Sequence, residues 1–265
     1  MSGPLYPSLP KHGTNYVIAD PPATGPRNWF IKWYRVGAGT NWVHVYREWP
    51  AQSESGWWAE MRPDITARAD GKRRFDGYPG PAQRWAFAPG IVAYKKLILE
   101  AEGWVWDEEA GHWDGSNAEK IQERYIDPRA GGVEVPSLEE GTSIITMMAE
   151  EQKDARGRII GPEMIWQPAP GGGGASNTMQ GQELLNERLN YDDKREINVL
   201  NCPKWYVVDT CKQSILAYTE YTGADGDKGA LKDIVDPDLY LARVDPEHID
   251  DASMKCSGPN GDDED

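Results

Sequence analysis

Two aromatic-rich runs near the amino terminus, NWFIKWYRVG (28–37) and NWVHVYREWP (41–50), are separated only by the three residues AGT, and this spacing constrains the fold more than any other feature of the chain. Runs that partly alternate apolar with polar residues read as strands, and so short a connection predicts an antiparallel hairpin. The apolar run just before them, NYVIAD (15–20), adds a third consecutive strand and ends on Asp20 with two prolines behind it.

The remaining periodicities alternate between helix and strand. GIVAYKKLILEAEGW (90–104) spaces Ile91, Tyr94, Leu97, Ile98 and Ala101 as one helical face, with Gly103 as its stop. WDEEAGHWDG reads as a loop or small ribbon, RYIDP as a strand, and TSIITMMAEEQ as a helix capped by Thr142 or Ser143. MIWQPAP is a candidate strand, MQGQELLNERL a helix, KWYVVD a strand, and CKQSILAYTEYTG and KGALKDIVDPDLYLARV are two final helices. Residues 1–14 read as a flexible arm, 15–245 as one α/β domain with an excursion over 51–89, and 246–265 as an acidic disordered tail. Three strands followed by helix, strand, helix, strand and helices is the element order of the ribonuclease H-like fold, a mixed central sheet flanked by helices. Other mixed α/β domains share similar orders, so the placement of the acids decides the reading.

Composition narrows the function classes. With 39% hydrophobic residues and no apolar run near the roughly 20 residues of a membrane span, the chain reads as globular with no membrane partner. Three cysteines, Cys202, Cys211 and Cys256, have no zinc-like spacing and make no disulfide framework, which predicts a reducing intracellular compartment. The net charge of −15 weighs against a nucleic-acid partner, yet part of it sits in the tail GPNGDDED while Lys72, Arg73 and Arg74 cluster in the excursion. The four histidines show no paired spacing. Gly171 to Gly174 are not followed by Lys-Ser/Thr and make no phosphate loop.

The acids carry the functional expectation. Asp20 ends the first strand, and the pattern returns in ERYIDPR, where Asp127 ends the fourth and precedes Pro128. If those strands pair in parallel, the two carboxylates are neighbours on one sheet edge. Asp233 and Asp236, at i and i+3 in the late helix, lie on one helical face and would close an acid cage there. Such a cage suits two hard divalent ions, Mg²⁺ or Mn²⁺, and two-metal sites hydrolyse phosphodiesters by activating water and stabilising the leaving oxygen. Each acid also has a structural reading: Asp before Pro is a common strand exit, and Asp233 and Asp236 fit a solvated helix face. Glu48 is either a further member of the metal shell or a pairing acid for Arg47 or another base. Lys72, Arg73 and Arg74 are candidates for DNA phosphate contact or a solvated charge run, and Lys232 either orients a scissile phosphate or damps repulsion among the acids.

Taken as a whole, YVIADPPATGPRNWFIKWYRVG, GPAQRWAFAPGIVAYKKLILEAEG, ERYIDPRAG, EGTSIITMM, INVLNCPKWYVVDTCKQSILAYTEYTG and KGALKDIVDPDLYLA resemble the nuclease domain of the large terminase subunit of tailed bacteriophages, over roughly Tyr16 to Val244. The resemblance implies a metal-dependent DNA endonuclease (a hydrolase) of viral genome packaging, with metal ligands at Asp20, Asp127 and Asp233 or Asp236. It also implies double-stranded DNA as substrate, an ATPase motor, a portal and a small terminase subunit as partners, and the cytoplasm of an infected bacterial host as location. KDIVD departs from the family's common late motif by placing Lys232 where an acid or His often stands. No Gly-x-x-x-x-Gly-Lys-Ser/Thr occurs, so the expectation is a nuclease domain of a longer protein or a free-standing homologue. The alternatives are a junction-resolvase-like nuclease and a non-catalytic docking module for DNA or a portal.

Overall fold

The computed structural model describes residues 8–21, 29–49, 91–131, 143–153, 156–171, 175–221 and 230–250. The excursion, with Lys72, Arg73 and Arg74, and the tail from 251 onward lie outside the described residues.

The predicted meander forms. β1 (Gly13–Asp20) pairs antiparallel with β2 (Phe30–Gly37), and β2 with β3 (Val43–Trp49). On its other side β1 pairs in parallel with β6 (Ile121–Ile126), and β6 in parallel with β9 (Gln167–Pro168). β10 (Trp205–Val207) adds in parallel to β3, giving a six-stranded sheet in the order β10-β3-β2-β1-β6-β9. Two small ribbons, β4 (Val105–Asp107) with β5 (His112–Asp114) and β7 (Gln152–Lys153) with β8 (Ile159–Gly161), stand apart from it. MIWQPAP contributes only its two-residue β9. Proline has no N–H for a ladder, which confines this segment to a short sheet edge, while Met164 and Trp166 go into the core instead.

Six helices are described: α1 (Ile91–Ala101), the single turn α2 (Pro128–Gly131), α3 (Ile144–Ala149), α4 (Ala175–Leu189), α5 (Lys212–Glu220) and α6 (Ala230–Val244). α1 stops as its glycine predicts. Gly103 takes φ +88°, and the Gly103 and Trp104 amides close back on the Glu100 and Leu99 carbonyls at 3.1 and 3.0 Å. Of the two candidate caps for α3, Ser143 is the one seen, accepting from the Thr146 amide at 3.2 Å.

Strand periodicity distributes side chains over two cores. Tyr16 and Ile18 face a layer built by α4, α5 and α6, whereas Val17 and Ala19 face α1, α3 and the β4–β5 ribbon. Both faces of β1 and β2 are therefore covered, which is why β2 is buried along almost its whole length, including Lys32. A bulge at Tyr46 sets Trp33 opposite Arg47 but Tyr34 opposite Val45. The extra residue reverses the alternation of β3, so Glu48 ends opposite Lys32. After α6 the chain returns to β1: Tyr16 donates its hydroxyl to the Glu247 carbonyl at 2.9 Å, and the Ile249 amide donates to Thr14 Oγ1 at 2.8 Å.

Candidate active site

The parallel pairing of β1 with β6 places Asp20 and Asp127 on neighbouring strand ends, and the Asp127 amide donates to the Ala19 carbonyl at 3.0 Å. Parity fixes their side. Asp20 shares the phase of Tyr16 and Ile18, and Asp127 that of Tyr125, all on the face covered by α6. α6 then supplies Asp233 and Asp236. A close helix contact seats it: a Cβ on Gly181 of α4 would stand 3.0 Å from both Cβ and the carbonyl oxygen of Leu239, so the glycine lets the two helices approach.

The four acids form one electrostatic unit. Asp20 is partly accessible, yet its pKa is raised well above the aspartate value by burial first, then by Asp236, Asp233 and Asp127, with Lys232 opposing. Asp236 is also raised, by burial and by Asp127, against the pull of Lys232 and Arg129. The mutual repulsion is partly answered by cations. Lys232 Nζ reaches Asp236 Oδ2 at 2.8 Å, one turn back on the helix, and Arg129 Nη2 reaches Asp127 Oδ2 at 3.2 Å. Asp127 Oδ1 also accepts from the Arg129 amide at 2.8 Å, as the N-cap of α2 with Pro128 in first position. The strand-exit reading thus holds for Asp127, whose charge also acts on Asp20 and Asp236.

Tyr240 and Arg243 extend the same helical stripe. Burial, followed by Asp20, Asp236 and Asp127, raises the Tyr240 phenol, and the Arg243 guanidinium lies 5.1 Å from its ring centroid. Neither residue, nor Arg129, was singled out from the sequence. Their signal is an offset of four or seven from Asp236, or two from Asp127, and it has meaning only once the strand pairing is known.

Glu48 is placed differently from the other candidates. It is buried, and its two carboxylate oxygens accept from the Gln213 and Ser214 amides at 2.7 and 2.9 Å and from the Ser214 hydroxyl at 2.7 Å. It therefore caps the start of α5, answering donors that a helix leaves unpaired. Burial raises its pKa while these bonds and Lys32 lower it. Arg47 binds Glu119 at 2.8 Å instead, and the base that acts on Glu48 is Lys32, opposite it on β2.

The donor set is four carboxylates, hard oxygen ligands of the kind that suit Mg²⁺ or Mn²⁺. Among the described residues no group of three or more His, Cys, Asp or Glu is drawn together closely enough to hold an ion, and Lys232 and Arg129 satisfy two of the four acids. The acids fit divalent ions in kind, with closure of the cage requiring those two cations to turn aside. Among the described residues no helix is long and apolar enough to cross a membrane. Compared with protein-family models, with curated proteins and with solved structures, the chain matches none of them.

Proposed function

We propose that this chain is a metal-dependent endodeoxyribonuclease of ribonuclease H-like topology, the nuclease part of a viral DNA-packaging terminase. One observation carries the reading: Asp20, Asp127 and the Asp233–Asp236 stripe, drawn from two strands and a late helix, share a single electrostatic field at one sheet edge. The strand order around them, with an antiparallel meander on one side of β1 and parallel strands on the other, supports the topology.

Asp20 and Asp127 with Asp233 or Asp236 would hold two Mg²⁺ or Mn²⁺ ions, which supply water activation and leaving-group stabilisation when bound. A cation arriving at the cluster would favour the ionised form of Asp20, which burial and the neighbouring acids disfavour. Arg129 and Lys232 would turn from their carboxylates toward the phosphates of double-stranded DNA, converting internal counter-charges into substrate contacts. The acids repel a phosphate backbone until they are neutralised, so DNA binding should follow metal binding.

Plasmid nicking in Mn²⁺ tests this. Asp20→Asn and Asp127→Asn are each expected to lose at least about 100-fold in rate, on the scale of losing one group that stabilises transition-state charge. Wild-type activity in both variants would refute it. A second reading, a docking module for DNA or a portal without chemistry, is favoured by the ion pairs that already occupy Asp127 and Asp236. Calorimetry separates the two, because a docking module would bind no Mn²⁺ at millimolar concentration.

A further inference from the structure

A cleft of about 530 Å³ opens on the sheet face away from the four acids, where α1 and the end of α3 meet the two small ribbons. Its apolar walls are Trp106, Trp113, Met147 and Ile160. Trp106 of β4 and Trp113 of β5 are a cross-strand pair, with ring centroids 5.6 Å apart and ring planes at 70°. Two rings set nearly perpendicular make a corner, and the negative face of an aromatic ring attracts a cation. Trp113 is buried in the core while Trp106 is half-buried, so the corner is held in place and can still be reached from the cleft.

Three lysines also line this cleft, and each already has a partner. Lys95 is buried, and its Nζ donates to the Met148 carbonyl at 3.0 Å and to the Glu150 carbonyl, closing the end of α3. Lys96 lies 3.7 Å from Glu100, and Lys153 lies 3.4 Å from Glu151. Glu108 and Glu150, by contrast, stand exposed at the rim, and neither carboxylate pairs with a cation among the described residues. Burial lowers the Lys95 ammonium below the usual lysine value, whereas Glu150, Glu163 and Glu151 hold it up, so the floor of the cleft feels carboxylates as well. The cations of the cleft are thus answered within the fold, and two of its anions are not.

We propose that this cleft binds an alkylammonium group, carried by a free polyamine or by the lysine side chain of a peptide. The ammonium would sit between the tryptophan corner and the Glu108 and Glu150 carboxylates, with its methylene stem along Met147 and Ile160. The proposal stands apart from the nuclease reading, because it uses none of the four acids. The full chain would be titrated at about 0.1 M salt, where exposed charges still act over roughly 10 Å, and followed through its indole N–H resonances by NMR. The probes are 1,5-diaminopentane, Nα-acetyl-lysine amide and Nα-acetyl-norleucine amide, the last of which keeps the stem and lacks the charge. An ammonium probe should bind saturably and the norleucine amide should not. Whichever of the diamine and the lysine amide binds more tightly names the source. Glu108→Gln/Glu150→Gln, altered only at exposed positions, should bind about 3- to 10-fold more weakly, the scale of two exposed charge contacts. Trp106→Leu should lose at least about 3-fold, the scale of one cation–π contact, while Asp20→Asn should bind as wild type does. Failure of both ammonium probes to bind, norleucine amide binding as tightly as lysine amide, insensitivity to the glutamate pair, or loss in Asp20→Asn would overturn the proposal.

Discussion

Asp20 shows how a residue that is easy to read in sequence acquires its chemistry from neighbours that are not. An apolar run that ends on Asp-Pro marks a strand end, and that much follows from NYVIADPP alone. The field around it comes from Asp127, Asp233 and Asp236, more than a hundred residues away. In the unfolded chain Asp20 ionises near the ordinary aspartate value of about 3.9. In the fold its pKa lies well above that, so between the two values the native state holds a proton that the unfolded state has released. Stability therefore falls as pH rises through this window, and Asp20 costs the native state stability once pH is above the unfolded value. Asp20→Asn is accordingly expected to melt higher than wild type in EDTA at pH 7–8, by about 2–4 °C for each kcal/mol relieved, with the gap closing near pH 4. Melting curves across pH decide it, and an Asn variant that melts lower than wild type at pH 8 would show that the acids do not share one field.

At the scale of elements, the question is what holds α6 over the strand ends. Two residues beyond Asp236, Asp238 points into the core, where it meets Lys32 of β2 at 2.5 Å and the Tyr34 hydroxyl at 2.8 Å, with both charged side chains fully buried. This pair ties the helix that carries Asp233 and Asp236 to the strand beside β1. Removing one partner of a buried ion pair strands the other, so Lys32→Met should cost about 3–5 kcal/mol in denaturant unfolding. Lys32→Met/Asp238→Leu should recover part of that loss but not all, because the Tyr34 hydroxyl would then lack its acceptor. A single-variant cost below about 1 kcal/mol would mean that the pair does not anchor α6. None of this was legible in the sequence. Within NWFIKWYRVG, Lys32 has the look of an outward polar position in an alternating strand, and only the burial of both sheet faces makes it internal. The role of Glu48 as a cap of α5 was not legible for a related reason: the bulge at Tyr46, invisible as a pattern, is what turns it toward α5. The meander, the long helices and a cap at Thr142 or Ser143 were legible because turn length, helical period and capping chemistry are local signals.

For the whole molecule, the net charge of −15 and the concentration of four carboxylates at one edge pose a single problem for the proposed function, since DNA would be repelled from that edge until a cation neutralised it. Arg129 and Lys232 offset two of the acids internally, while burial and the neighbouring acids still disfavour the ionised form of Asp20, which an added ion would relieve. A ligand that binds only the folded state stabilises it by about 2.7 kcal/mol at 100 times its Kd, which for a domain of this size is roughly 5–10 °C in Tm. Mn²⁺ should therefore raise the Tm of wild type by that order once saturating, and should do so less in Asp20→Asn and Asp127→Asn. Glu48→Gln should keep the full Mn²⁺ response while starting from a lower Tm, because its role is to cap α5. A Mn²⁺ response that disappears in Glu48→Gln and persists in Asp20→Asn would refute the proposed metal site at the edge between β1 and β6 and point to the end of β3 instead. The contrast between those variants tests position directly, because Glu48 and Asp20 both end strands of the same sheet and differ in which side chains share their field.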